Sequence, residues 1–263
     1  MPRAIDLNAD LGESFGPWRM GDDPAMLDLV TSASIACGGH AGDAETMFAT
    51  LTLARDRGVT VGAHPGYADR EGFGRRVIPM TGPEIERLVA AQTGALLGAA
   101  ALAGARVRFV KAHGALGNLA AAEPVVAEAV ARATAAVDPG LALLAIAGTA
   151  LEAAGRRAGL DVYAEIFADR AYLADGRLAP RARDGAVLHD PEAAADRLLG
   201  FLATGRMPVL DGGTVALEAQ SICVHGDGPA AVAMARRVRA ALEAEGVTVA
   251  PFLGPAPSLD PAP

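Results

Sequence analysis

Short runs of β-branched and aliphatic residues alternate along the whole chain with segments rich in Ala, Leu, Arg and Glu. This alternation is typical of βαβ units built around a parallel sheet. The runs predict strands at Ile5–Leu11, Ser34–Cys37, Val59–His64, Val107–His113, Leu143–Ala147, Val162–Phe167 and Ser221–His225, with Val247–Phe252 as an eighth candidate. Seven or eight parallel strands favour an α/β fold in which the sheet closes into a (β/α) barrel.

Capping residues and prolines mark where the helices between these strands begin. Asp43 is placed to cap a helix that runs to Arg57, and Thr81 with Glu84 forms a capping box for a helix that reaches Gly104. Three prolines stand where a first helical turn would begin, and they are Pro124, Pro191 and Pro229.

The length of the chain, 263 residues, suits one barrel, so residues 1–253 are predicted to form a single catalytic domain. Two connections are longer than the others, 65–80 and 168–190, and long loops in compact domains are often functional. The segment 254–263 contains four prolines and lacks periodicity, which predicts a flexible tail.

Composition narrows the classes of partner. Apolar residues make up 51% of the chain and charged residues 21%, enough to bury a large core, and the net charge of −8 argues against binding to nucleic acid or to an anionic membrane. The uncharged stretch Leu88–Ala105 reaches the length of a membrane span, but eight alanines and three glycines favour a close-packed helix. Two cysteines and the lack of a secretory leader predict a cytoplasmic location.

Polar side chains gather directly after the predicted strands. Because the carboxyl ends of parallel strands meet on one face, we expect these side chains to share one site. The candidates are Asn8, Asp10, Glu13, His40, His64, Lys111, His113, Glu165, Asp169, Arg170, His225 and Asp227.

Histidines and one lysine carry the chemistry of this set. Four of the five histidines occupy equivalent strand-end turns, which indicates a functional group, whereas His189 is assigned as a capping or surface residue. Lys111 is the single lysine beside 22 arginines, which suggests a task that a guanidinium does not perform. The alternative is a buried ion pair of Lys111 with Asp10 or Glu165.

A divalent metal is a second hypothesis for the same face. Asp10, His40 and His64 would supply three ligands from neighbouring strands, although the spacing matches neither H-x-x-x-H nor H-E-x-x-H. Asp169 and Arg170 form either a functional pair or a structural salt bridge. Cys37 and Cys223 lack a basic neighbour in sequence and are assigned as small buried residues.

Two glycine-rich turns, 37–43 and 225–228, would let the backbone approach a ligand closely. Neither turn is a G-x-x-x-x-G-K-[ST] loop or a G-x-G-x-x-G fingerprint. Any nucleotide is therefore expected to be bound by a different motif or by another chain.

Six segments in the same order resemble one known family, the LamB/YcsF family of prokaryotic 5-oxoprolinase A subunits. They are 6–16, 34–43, 62–67 with 72–76, 110–116, 165–172 and 222–227. The resemblance implies ATP-dependent opening of 5-oxo-L-proline, a small lactam, to L-glutamate together with separate B and C subunits. It also implies a deformed seven-stranded (β/α) barrel of the glycoside hydrolase/deacetylase type.

For the site, we expect Asp10, His40, His64 and His113 to surround the substrate carbonyl, with one of them acting as general base. Lys111 or a divalent metal would stabilise the oxyanion. Either of two neighbouring arginines would clamp the substrate carboxylate or a phosphate, and these are Arg75 and Arg76. Partner subunits would share the binding of ATP, and homo-oligomerisation is left open.

The chain departs from the expected family pattern at five positions, which are Ser34, Gly66, Ala68, Ala112 and Gly117. The tyrosine expected at the last of these is replaced by glycine, which alters the shape of the pocket. Two other functions stay open at this point. One is a stand-alone, metal-dependent deacetylase or amidohydrolase, and the other is a non-catalytic subunit that binds the substrate for its partners.

Overall fold

Alternating strands and helices wind the chain into a closed parallel barrel in a computed structural model that describes residues 2, 4–228 and 230–254. The strands are β1 Ala4–Leu11, β2 Ser32–Ala36, β3 Thr60–His64, β4 Val107–Val110, β5 Ala142–Ile146, β6 Val162–Phe167, β7 Arg206–Pro208, β8 Thr214–Ala216, β9 Ser221–Val224 and β10 Thr248–Val249. The helices are α1 Asp23–Leu27, α2 Ala44–Asp56, α3 Gly82–Ala103, α4 Gly114–Ala122, α5 Pro124–Val137, α6 Ala150–Arg157, α7 Pro191–Thr204 and α8 Ala231–Ala244.

Seven strands close the barrel in the order β1, β2, β3, β4, β5, β6, β9 and back to β1, and every pairing is parallel. The register sets Asp10 opposite Ser34 on one side of β1 and Asn8 opposite Cys223 on the other. The predicted α/β barrel is therefore confirmed. The candidate eighth strand of the prediction corresponds to β10, which pairs with the first two residues of β1 and lies outside the closed ring.

Strand β1 builds a polar barrel interior by simple alternation. Asp6 and Asn8 bond to Ser221 on the neighbouring strand β9, and Asp10 bonds to Lys111 after β4, while the alternate residues Leu7, Ala9 and Leu11 belong to the hydrophobic core. Asp6 accepts hydrogen bonds from the hydroxyls of three residues on neighbouring strand ends, and they are Thr31, Ser32 and Ser221. Along this strand, polar side chains thus face the barrel interior and apolar side chains face the surrounding helices.

Most predicted boundaries are correct within two residues, and two differences have structural reasons. The predicted fourth strand extends to His113, but β4 ends at Val110, where its register with β5 ends, and the next residues bond to the end of β3 and to the residue after it. Lys111 and His113 donate their backbone N–H groups to the carbonyls of Ala63 and Pro65. The short antiparallel hairpin β7–β8 has no counterpart among the predicted strands.

Helix termini follow the predicted caps. Asp43 accepts a hydrogen bond from the Thr46 backbone N–H at the start of α2, and the Thr81–Glu84 capping box opens α3. Prolines begin α5 and α7 as predicted, whereas the proposed helix start at Pro229 and the predicted tail beyond Gly254 lie outside the described residues.

Helix α3 is the one described helix with the length and apolar composition of a membrane span. Its buried residues, which include Val89, Leu96 and Ala100, lie along one face against the hydrophobic core. The helix is a core helix of the barrel, as its content of alanine and glycine predicts.

Candidate functional site

A cavity of about 550 Å³ opens at the carboxyl ends of the barrel strands. Both long loops and the strand ends contribute to its wall. Its charged and imidazole side chains are Asp10, His64, Arg75, Lys111, His113, Glu165, Arg170, Arg181 and His225. In a chain of net charge −8, four of these residues are Lys or Arg and only two are acids. The cavity therefore suits a small anionic ligand.

Lys111 lies at the floor of the cavity with its ammonium surrounded by acceptors. Nζ donates to Asp10 Oδ1 at 2.9 Å and to Asn8 Oδ1 at 3.1 Å, and it lies 3.0 Å from Glu165 Oε2. The sulfur of Cys223 is 3.1 Å away. Both ion pairs that the sequence offered as an alternative are present, and the lysine side chain is only 3% exposed.

These contacts fix the charge states at the floor. Burial alone would raise the pKa of Asp10, but its contacts with His64 and Lys111 hold it well below its usual range. Burial alone would lower the pKa of Lys111, but Asp10 and Glu165 raise it well above its usual range. Burial raises the pKa of Glu165. Lys111 is thus charged and paired mainly with an ionised Asp10.

Beside this floor, three histidines and a glutamate form a second buried cluster. Glu13 Oε1 lies 3.1 Å from His40 Nε2 and 3.8 Å from His113 Nδ1, while His113 Nδ1 lies 3.0 Å from His64 Nε2. The rings of His40 and His113 stack with centroids 3.5 Å apart. Asp10 is at the edge of this cluster, with Oδ2 3.4 Å from His64 Nε2.

Hydrogen bonds to carbonyl groups assign the protons of two of these rings. His64 Nδ1 faces the carbonyl of Lys111 at 2.8 Å, and His113 Nε2 faces the carbonyl of Phe73 at 2.9 Å, so both nitrogens carry hydrogen. In neutral rings, the lone pairs of His64 Nε2 and His113 Nδ1 then point at each other across 3.0 Å. Burial lowers the pKa of His40 and of His113 well below the usual range, which keeps both rings neutral.

Facing lone pairs with a nearby carboxylate match the donor set of a divalent metal. The ligand atoms of Glu13, His40, His64 and His113 all lie within 4.8 Å of one another. Ligands of a tetrahedral zinc ion at ~2.1 Å would lie about 3.4 Å apart, close to the separations of 3.0, 3.1 and 3.8 Å in this cluster. His40 and His64 are therefore grouped with Glu13 and His113, and Asp10 is engaged by Lys111 beside them.

His225 and Asp169 form a separate pair at the wall of the cavity. His225 Nδ1 lies 2.9 and 2.8 Å from the two carboxylate oxygens of Asp169, so Nδ1 donates and Nε2 is the free nitrogen. Burial alone would raise the pKa of Asp169, but the facing imidazole lowers it. This arrangement is typical of an oriented general base.

The arginines named from the sequence have different environments. Arg75 lines the cavity and forms an ion pair with Asp227 at 2.7 Å. Arg76 does not line the cavity, since it donates to Asp69 within the same loop. Arg170 is 3% exposed and donates to the carbonyls of Ala179 and Ala186, which fixes the loop 168–190.

Several site residues carry no signal in the sequence. Arg181 lies in the loop 168–190 and lines the cavity, but no motif marks it. Gln92 of α3 holds the backbone of Gly66 through both its amide atoms. Phe73 has a φ of 53°, which is unusual for a residue with a side chain, and this conformation supplies the carbonyl that His113 contacts.

The remaining predicted residues are placed as expected. Asn8 donates to Ser221 Oγ at 2.7 Å and accepts from Lys111. Cys37 is buried, and its sulfur accepts the backbone N–H of His64 at 3.2 Å. His189 is exposed immediately before the cap of α7, in agreement with its assignment as a surface residue.

Comparison with known proteins decides the family. A profile described as the LamB/YcsF family matches residues 5–256. The chain belongs to the LamB/YcsF family. It is 52% identical over 251 residues to the 5-oxoprolinase A subunit of Rhodopseudomonas palustris, a match that covers 95% of this chain and 99% of that protein. It is also 53% identical to the 5-oxoprolinase A subunit of Azorhizobium caulinodans, over 95% of this chain and 98% of that protein.

A solved structure of a family relative has the same fold. The lactam utilization protein of Thermus thermophilus matches this LamB/YcsF protein with a TM-score of 0.88 and 44% identity, over 94% of this chain and 99% of that chain. The resemblance inferred from the six motifs is confirmed, and the match extends over nearly the whole chain.

Proposed function

We propose that this chain is the A component of an ATP-dependent 5-oxoprolinase, which opens 5-oxo-L-proline to L-glutamate together with B and C subunits. The observation that carries the proposal is the buried Lys111–Asp10–Glu165 network at the floor of a cationic cavity. It occurs in a chain about half identical, over nearly its full length, to proteins named as the A subunits of 5-oxoprolinases. A cytoplasmic location belongs to the same proposal, since both cysteines are free and buried.

The reaction requires a proton to leave water and a proton to reach the ring nitrogen. The oxygen of water bonds to the lactam carbonyl carbon, the bond from that carbon to the ring nitrogen breaks, and the nitrogen gains a proton. His225 supports both transfers, because Asp169 holds Nδ1–H and leaves Nε2 free toward the cavity. His225 Nε2 would accept the proton from water and return it to the leaving nitrogen.

Lys111 would stabilise the charge that develops on the carbonyl oxygen. Its three N–H hydrogens are matched by three oxygen acceptors, so it acts as a fixed positive charge in a site of low dielectric constant. Asp10 keeps this ammonium charged and in place. Its other oxygen faces His64 and ties the floor of the cavity to the histidine cluster.

An unstrained lactam is unreactive, which is the chemical reason for ATP. Transfer of the γ-phosphoryl group of ATP to the carbonyl oxygen, with release of ADP, would activate the carbonyl carbon toward the attacking water. After the bond to the ring nitrogen breaks, a second water would release phosphate from the resulting acyl phosphate. The sequence contains neither of the two glycine-rich nucleotide fingerprints, so the partner subunits are expected to contribute to nucleotide binding.

The same proposal includes a divalent cation, such as Zn²⁺, held by Glu13, His40, His64 and His113. It would supply a fixed positive charge behind the cavity, and four protein ligands without an open position are typical of a structural ion. The support is the convergence of these four side chains and the facing ring nitrogens of His64 and His113, neither of which carries hydrogen when both rings are neutral.

Metal content tests this part of the proposal. We expect about one divalent ion per chain by mass spectrometry, and a lower melting temperature after chelation, because metal binding is coupled to folding. His40→Ala should abolish the bound metal, whereas His189→Ala, at an exposed histidine, should retain it. Protein that binds no zinc in equilibrium dialysis and melts unchanged with chelator would contradict it.

Product formation tests the activity. Purified chain with candidate B and C subunits, 5-oxoproline and ATP should release glutamate and ADP in equal amounts, and no glutamate should form without ATP. Release of acetate or opening of lactams without ATP would instead indicate a metal-dependent amidohydrolase. A non-catalytic binding role would be indicated if single substitutions of Asp10 or His113 changed substrate binding without a defect in the chemical step.

A further inference from the structure

The cationic wall of the cavity has one more positive charge than its neighbours balance. Three guanidiniums line the cavity close enough to repel one another, those of Arg75, Arg170 and Arg181. The carboxylates that act on them are Asp169, Asp227 and Asp10, the last of which is already paired with Lys111. Asp227 is paired with Arg75, and Asp169 holds the imidazole of His225. One cation is therefore left without a counterion at this wall.

Arg181 is the guanidinium without a partner. Arg75 is paired with the carboxylate of Asp227, and Arg170 donates to two loop carbonyls. Arg181, in contrast, has no hydrogen bond or ion pair among the described residues. It is half-buried and lines the cavity. Burial and the charge of Arg75 lower the pKa of Arg181, so a bound anion would relieve both desolvation and repulsion.

The floor of the cavity favours a neutral group at the other end of the ligand. There the ammonium of Lys111 is balanced by Asp10, and burial raises the pKa of the third member, Glu165. A ligand that is uncharged at its reacting end and carries one negative charge at the other end matches this division. 5-Oxoproline has such a distribution, with a neutral lactam and a single carboxylate.

From this distribution of charge we infer that Arg181 binds the carboxylate of the lactam substrate and thereby selects 5-oxoproline over lactams that lack a carboxyl group. The inference rests on the proposed function. A guanidinium presents two parallel N–H groups to a carboxylate, a geometry that a lysine does not reproduce. Arg181 is then a specificity residue, and His225 and Lys111 act on the reacting carbonyl.

Binding and kinetics of Arg181→Gln test the inference. In the reconstituted complex, we expect the KM for 5-oxoproline to rise about 10- to 100-fold, as for loss of a charge-assisted pair, with kcat and the KM for ATP within about twofold. Inhibition by 2-pyrrolidinone, the lactam without a carboxyl group, should not change. Arg181→Lys should recover only part of the lost affinity.

Arg183→Gln is the matched control, because Arg183 lies in the same loop, pairs with Asp211 and does not line the cavity. It should behave as wild type. An unchanged KM for 5-oxoproline, or an equal loss for 5-oxoproline and 2-pyrrolidinone, would overturn the inference. A rise in the KM for ATP alone would assign Arg181 to a phosphate group and would overturn it as well.

Direct binding separates this inference from the proposed function. The isolated chain, without partner subunits or ATP, should be stabilised against heat by 5-oxoproline, and Arg181→Gln should abolish that shift. If wild-type complex formed no glutamate while this difference persisted, the proposed function would fail and the carboxylate site would stand. If wild type formed glutamate and both proteins bound equally, only the carboxylate site would fail.

Discussion

Lys111 is surrounded on several sides by atoms that accept hydrogen bonds. Three oxygens and one sulfur lie within 3.1 Å of its Nζ, an arrangement that suits a compact ammonium and does not suit the planar fork of arginine. The contrast between one lysine and 22 arginines made this residue predictable from the sequence. Its exact partners were predictable only as alternatives, because they come from strands far apart in the chain.

Disrupting the Asp169–His225 pair should impair proton transfer. Asp169→Asn should lower kcat by about 10²- to 10⁴-fold, because an amide no longer fixes the tautomer that leaves Nε2 free. The KM for 5-oxoproline should change little, and steady-state assays of the reconstituted complex would measure both. Asp211→Asn, at an exposed carboxylate, is the control. A kcat within twofold of wild type would rule out His225 as the base.

The buried carboxyl group of Asp6 should make the free energy of unfolding depend on pH. Burial raises the pKa of Asp6 to about 6 from 3.8, despite hydrogen bonds from three hydroxyls. Because the folded state holds this proton more tightly, the contribution of Asp6 is fully present below pH 3.8 and is lost as pH rises through 6. That difference corresponds to about 3 kcal/mol.

Asp6→Asn should remove this dependence. Relative to wild type, the free energy of unfolding of the variant should rise between about pH 4 and pH 6 and level off above that range. Urea denaturation at a series of pH values measures the difference, in which titrations common to both proteins cancel. A constant difference across the range would show that Asp6 titrates as it does in the unfolded chain.

Among the elements, the turn after β9 packs directly against the end of β1, next to the site residues Asp10 and His225. A Cβ at Gly226 would lie 2.3 Å from the carbonyl oxygen of Asp10, whereas a Cβ at Gly228 would meet no atom within 4 Å. Gly226→Ala should therefore cost about 1–3 kcal/mol of stability and displace the floor of the cavity. Thermal melting and kcat would both fall, and Gly228→Ala should leave both unchanged. Equal behaviour of the two variants would contradict this packing.

The elements were predictable where periodicity is strong. All seven barrel strands coincide with predicted runs that contain β-branched or aliphatic residues, and the capped helices have local signals. The hairpin β7–β8 has only three residues in each strand, too few for a pattern. The path of the loop 168–190 depends on Arg170 and on its bonds to carbonyls 9 and 16 residues away, which no local motif encodes.

At the scale of the molecule, barrel closure joins residues from opposite ends of the chain. Asp6 and Ser221 are 215 positions apart, and Lys111 is 101 positions from Asp10, yet each pair is in contact. The rule that strand ends converge predicts that these polar side chains lie close together. It does not assign partners within the set, so the grouping of Glu13 with three histidines and the exposure of Arg181 to the cavity required the structure.

We propose that lactam opening depends on the Lys111 network of this chain. The most direct test is glutamate release by complexes assembled with wild-type, Lys111→Met or Lys111→Arg chain, after their melting curves and subunit content are shown to match. We expect a loss of at least about 100-fold for both variants, because neither places a compact charge at the carbonyl. Glutamate release at the wild-type rate by either well-assembled variant would contradict it.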